Sequence, residues 1–94
     1  METLDDQTIE GHLAGLAGWV RDGQTIVRDA TLDDFAAAIA LVDAVAVVAE
    51  RANHHPDILV HAWNRVRLTL STHSAGGLTA ADFALAEQIE ALLP

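Results

Sequence analysis

Between Leu32 and Ala52 the chain carries a stretch that is apolar around most of a helical turn, and this constrains the fold more than any other feature. One face of the expected helix holds Phe35, Ile39, Val42, Ala46 and Ala49, and a second holds Ala38, Leu41, Val45 and Val48. Only a narrow strip with Asp43 and Glu50 is polar. Such a helix must be covered on two sides. In a chain of 94 residues one side can face the domain's own sheet and the other a partner subunit. The hydrophobic share of 51% points the same way, because so small a domain has little interior in which to hide it. The apolar run from Phe35 to Ala49 is fifteen residues long and is interrupted by Asp43. A membrane span needs about 20 apolar residues, so a buried helix is the expectation.

The helix is opened by Thr31 or Asp33 as a cap and must stop near Asn53, because Pro56 turns the residue before it away from helical geometry. Upstream, Leu4, Ile9, Leu13 and Leu16 suit a short amphipathic helix, with Asp5 and Asp6 at its N-terminal end. Trp19 to Arg28 reads as a hairpin turning at Asp22-Gly23. Downstream, Ile58 to Ala62 and Val66 to Thr72 read as strands joined around Trp63-Asn64-Arg65. In the second, Val66, Leu68 and Leu70 alternate with polar residues, and His73 continues the outward row. Ser74 to Gly77 is expected to be a flexible connection. Thr79 to Asp82 has capping-box spacing ahead of a last helix with Phe83, Ala86, Ile89 and Leu93 on its apolar stripe. The expected fold is a single α+β domain over residues 1–94, a four-stranded antiparallel sheet with three helices packed on one face.

Fourteen acidic residues against five arginines leave a formal charge of −9, which repels phosphate backbones and argues against nucleic-acid binding. The chain has no cysteine and so neither disulfides nor thiolate zinc sites. Its N-terminus is acidic, unlike a secretory signal. The expected location is cytoplasmic.

Chemistry concentrates in His54, His55 and His73. Imidazole titrates near neutrality, so such a group suits proton transfer or metal binding. Adjacent histidines rarely face one ion from regular structure, and no HExxH-type pattern is present, so metal is the weaker reading. Solvated histidines at a helix end are the third alternative, and His12 and His61 fit it well. Trp63 could wall a cleft for a planar ligand, or simply pack.

The arrangement of Glu50, His54-His55-Pro56, Trp63, His73 and Asp82 resembles the signature of the pterin-4a-carbinolamine dehydratases. Asn53 to Asp57, Leu70 to His73, Gly76 to Thr79, and the Leu-x-Gly-Trp segment from Leu16 to Trp19 also look like bacterial members. One departure stands: six residues separate Pro56 from Trp63 where many relatives have five, which a bulge or a longer turn accommodates. The resemblance implies a sheet backed by three helices, dimers that extend the sheet, and tetramers joined through the long helices. It implies dehydration of 4a-hydroxytetrahydrobiopterin to quinonoid dihydrobiopterin, without metal or organic cofactor, in tetrahydrobiopterin recycling. It makes His54, His55 and His73 the catalytic residues, with His54 and His73 as general acid and base and His55 mainly orienting the ring while sharing in catalysis. Glu50, Asn53 and Trp63 become substrate-binding candidates, and Asp82 a residue that holds a histidine or caps the last helix. Other proteins resembling this family act as dimerisation or assembly partners, which is the alternative function.

Overall fold

The computed structural model describes residues 2–94. Helix α1 spans Asp6–Ala14, strand β1 Trp19–Asp22, strand β2 Thr25–Thr31, helix α2 Phe35–Ala52, strand β3 Asp57–His61, strand β4 Arg65–Leu70, and helix α3 Ala80–Glu90. The strands form one antiparallel sheet in the order β1-β2-β4-β3. The α+β architecture expected from the sequence is present.

Strand β4 shows why the sheet has one covered face. Val66, Leu68 and Leu70 are fully buried, while Arg65 before them and Arg67 among them are exposed. Directly paired residues of neighbouring strands share a face. Ile26 pairs with Leu70, and Ile58 and Val60 pair with Leu68 and Val66, so these side chains line the helix side. Opposite them, Ala38, Leu41, Val45 and Ala49 of α2 and Phe83, Leu85, Ala86 and Ile89 of α3 complete the core.

Helix α2 divides differently from the sequence expectation. Ala49 joins the inner face, whereas Phe35, Ile39 and Val47 stay exposed on the outer one. The helix also starts later than Leu32. Strand β2 remains paired with β4 as far as Thr31, which meets Arg65, so Thr31 is not the cap, and the helix begins too late for Asp33 to be one. Asp34 is the cap instead, accepting a bond of 2.7 Å from the Ala37 backbone N–H.

Two turns also differ in detail. Asp22 is paired with Thr25, so the hairpin loop is Gly23-Gln24 rather than Asp22-Gly23, with Gly23 at φ +61°. Strands β3 and β4 occupy Asp57–His61 and Arg65–Leu70, and between them Ala62 and Trp63 both take left-handed geometry, at φ 46° and 56°. Successive left-handed residues match the twist of a tight hairpin, at a conformational cost for side chains with a Cβ. Asn64 anchors this turn: its backbone C=O accepts from the Leu32 N–H and its side-chain amide donates to the Leu32 C=O. From Asp57 to His61 strand β3 pairs with β4 without a bulge, so the residues between Pro56 and Trp63 are a regular strand followed by this turn.

At the opposite edge, Gly18 has φ +90°, and a Cβ there would come within 2.8 Å of the Arg28 guanidinium. Glycine lets β1 begin against that side chain. Trp19 Nε1 and Arg28 Nε then both donate to Glu90 Oε1, at 2.8 and 2.6 Å, tying the first hairpin to the end of α3.

Candidate active site

The last turn of α2 places the first two histidines. Asn53 takes left-handed geometry at φ 48°, and the His54 N–H bonds back to the Ala49 carbonyl at 3.1 Å. This is the helix-ending hydrogen-bond pattern that asparagine or glycine usually supports. It folds His54 back toward the domain, where its side chain is only 14% exposed, and sends His55 outward. His55 Nε2 lies 2.8 Å from Glu50 Oε1 on the exposed surface of the helix end. Pro56 then leads into β3.

Asp82 meets His54 from the first turn of α3. Its side chain is fully buried, and Oδ1 lies 2.5 Å from His54 Nε2. Oδ2 accepts from the Thr72 hydroxyl at 2.7 Å and from the Thr79 backbone N–H at 2.9 Å. A buried carboxylate is tolerated when it is paired and fully hydrogen-bonded, and this one is. The capping box expected at Thr79 is formed, so Asp82 both caps α3 and holds a histidine.

His73 follows Thr72 directly. The segment expected to be a flexible connection is a short 3₁₀ turn, His73–Ala75, closed by a bridge between Thr72 and Gly77. Strand β4 ends at Leu70, so His73 lies beyond the alternating row, and its side chain is exposed. Because Thr72 and His54 bond opposite oxygens of one carboxylate, the segments bearing His54 and His73 converge on Asp82. The pairing of Asp57 with Thr69 places both at the same end of the sheet.

Trp63 lies elsewhere. It sits in the turn after His61, at the far end of β3, roughly 13 Å along the strand from Asp57 at 3.3 Å per residue. With 63% of its surface exposed it neither packs in the core nor walls the histidine site of its own chain. The other two histidines also part ways. His12 stacks on Phe83 with ring centroids 4.6 Å apart. His61 borders a cavity of about 160 Å³ on the open sheet face, lined also by Asp29, Ala30, Thr31, Arg65 and Arg67. There the hydrogen-bonded Arg67 guanidinium holds the Asp29 carboxyl below its ordinary value, and Asp29 in turn raises Arg67.

Sequence reasoning passed over Thr72 and half of the role of Thr79. The hydroxyl one position before His73 was the available signal.

The family model for pterin 4 alpha carbinolamine dehydratase matches residues 2–92. A protein of Nocardia farcinica, provisionally named a pterin-4-alpha-carbinolamine dehydratase, is 54% identical over 97% of this chain and 95% of its own. One from Roseiflexus castenholzii with the same provisional name is 50% identical over 96% of each chain. Among solved structures, the transcriptional coactivator/pterin dehydratase from Brucella melitensis superposes with a TM-score of 0.93 at 32% identity, over 99% of this chain and 100% of that one. A pterin dehydratase-like protein identified as a RuBisCO assembly factor in the alpha-carboxysome superposes with a TM-score of 0.67 at 26% identity, over 80% and 88% of the two chains. With its fold and nearly its whole length matched, the chain belongs to the pterin 4 alpha carbinolamine dehydratase family.

Proposed function

We propose that this protein dehydrates 4a-hydroxytetrahydrobiopterin to quinonoid dihydrobiopterin and water by histidine acid–base catalysis, and so serves tetrahydrobiopterin recycling in the cytoplasm. The observation that carries the reading is the convergence of the His54 and His73 segments on buried Asp82, within a chain that belongs to the dehydratase family.

The chemistry asks for two proton transfers. The C4a–O bond breaks as a proton reaches the departing hydroxyl, N5 loses its proton, and the C4a=N5 double bond forms. Electron release from the pterin ring drives the departure, so general acid–base help of about 10²- to 10⁴-fold is enough. His54 and His73 are the proposed proton-transfer pair. His55, held by Glu50, orients the ring, with Glu50 and Asn53 available to bond its edge. Trp63 of the same chain is too far along β3 to share in this. No resident metal or organic cofactor enters the scheme.

The outer face of α2 supports a homodimer or homotetramer, because Phe35, Ile39 and Val47 expose apolar surface that a second copy would cover. The same face favours one alternative, a role as an assembly partner of another protein, in line with the assembly-factor structure that the chain resembles. The test is the dehydration rate of chemically prepared 4a-hydroxytetrahydropterin with wild type, His54→Ala and His73→Ala. Lower rates in both variants support the enzyme, while a wild type no faster than buffer leaves the assembly role.

A further inference from the structure

With the Asp82 carboxyl ionised, the bonds around it allow only one arrangement of hydrogens. The Ala81 N–H donates to Thr79 Oγ1 at 3.3 Å, and the Thr72 hydroxyl spends its single hydrogen on Asp82 Oδ2. The 2.8 Å contact between the two threonine hydroxyls must therefore be donated by Thr79 to Thr72. With the Thr79 N–H also on Oδ2, that oxygen has two donors, and Oδ1 is left for His54 Nε2. An ionised carboxylate only accepts, so Nε2 must carry the hydrogen. The one nitrogen of His54 left to exchange a proton with a ligand is Nδ1.

We propose that Thr72 is a positioning residue of the site: its hydroxyl orients the Asp82 carboxylate and thereby fixes His54 in the tautomer whose bare Nδ1 receives a proton. In its neutral form His54 is then a base through Nδ1, with the carboxylate stabilising the imidazolium that forms. His73 has no hydrogen-bonded side-chain partner among the described residues and is left to protonate the departing hydroxyl. Thr72 is 7% exposed and also joins the backbone bridge to Gly77, immediately before His73, so one residue braces both halves of the site. The catalytic part of this inference rests on the dehydratase reading; the tautomer part does not.

The test compares wild type with Thr72→Val, which keeps the shape but not the hydroxyl, and Thr72→Ser, which restores the hydroxyl. Two quantities are read: the ring-nitrogen NMR shifts of His54, and kcat and KM for 4a-hydroxytetrahydropterin. Neutral His54 in wild type is expected to carry its hydrogen on Nε2. Thr72→Val is expected to mix the tautomers and to lower kcat about tenfold, with KM little changed, and Thr72→Ser to recover both. Where Thr72→Val does not fold, Thr72→Ala is read in its place. A wild-type hydrogen on Nδ1, an unaltered tautomer and kcat in the hydroxyl-free variant, or a failure of serine to rescue each overturns the proposal. If wild type shows no turnover but the tautomer responds to Thr72 as described, the positioning stands and the dehydratase reading falls.

Discussion

His54 and Asp82 are 28 positions apart in the chain, yet Nε2 of one lies 2.5 Å from Oδ1 of the other, with the carboxylate wholly buried. The pair joins the exit of α2 to the entry of α3, so the helix packing that builds the core also sets the geometry of an imidazole.

Asp82→Asn tests that pair. The amide oxygen can still accept from Thr72 and Thr79, but its NH₂ then meets His54 Nε2 and forces the hydrogen onto Nδ1. The expected result is kcat lower by about a hundredfold, with a stability loss of about 1–3 kcal/mol from the altered buried bond. Steady-state kinetics and urea unfolding check the two parts, and a variant with wild-type kcat would detach Asp82 from catalysis.

Local features were the legible ones. Pro56 marked the end of α2 near Asn53, the alternation of Val66, Leu68 and Leu70 marked β4, and Thr79 to Asp82 marked the start of α3. Each depends on residues a few positions apart. The start of α2 was not legible, because Thr31, Asp33 and Asp34 all suit a cap, and only the pairing of Thr31 with Arg65 excludes the first of these. The position of Trp63 followed from the direction in which β3 runs, which spacing alone does not reveal. The hydroxyl of Thr72 and the clamp on Glu90 depend on helix–sheet packing. No short-range pattern encodes them.

Glu90 is the second structural test. Glu90→Ala strips the acceptor from both the Trp19 ring N–H and Arg28, the former on a side chain only 5% exposed. A loss of about 1–3 kcal/mol is expected, less in Glu90→Gln, which keeps an oxygen. Urea midpoints with an unchanged slope would show this, and equal midpoints for Glu90→Ala and wild type would mean that the clamp contributes nothing.

The outer face of α2 gives a prediction about assembly. Ile39→Asp places a charge between Phe35 and Asp43 on the exposed side of the helix without touching the core. Burying an apolar side chain of this size is worth about 1.5–3 kcal/mol. At micromolar concentration, light scattering is expected to find wild type well above 10.0 kDa and the variant shifted toward it, with the circular dichroism of both alike. A wild type already at the single-chain mass would remove the oligomer.

Acid should loosen two surface bonds. Asp29 is held below its ordinary value of 3.8 by its hydrogen bond from Arg67, and Asp5 by bonds from the Thr8 side chain and backbone. A carboxyl that ionises more easily when folded adds stability above its unfolded value and loses it as pH falls through the lower folded value. The contribution of both is therefore full well above pH 3.8 and is lost progressively as pH falls from there through the lower folded values. Urea midpoints measured from about pH 5 downward should fall less steeply in Asp29→Asn than in wild type. Parallel curves would deny the bond any part in acid stability.

The decisive measurement is dehydration of 4a-hydroxytetrahydropterin by purified wild type beside a variant with His54, His55 and His73 all changed to alanine. Wild type should exceed the buffer rate by a wide margin and the triple variant should return nearly to it, with both proteins folded. Equal rates from the two would contradict the claim that these imidazoles move the protons.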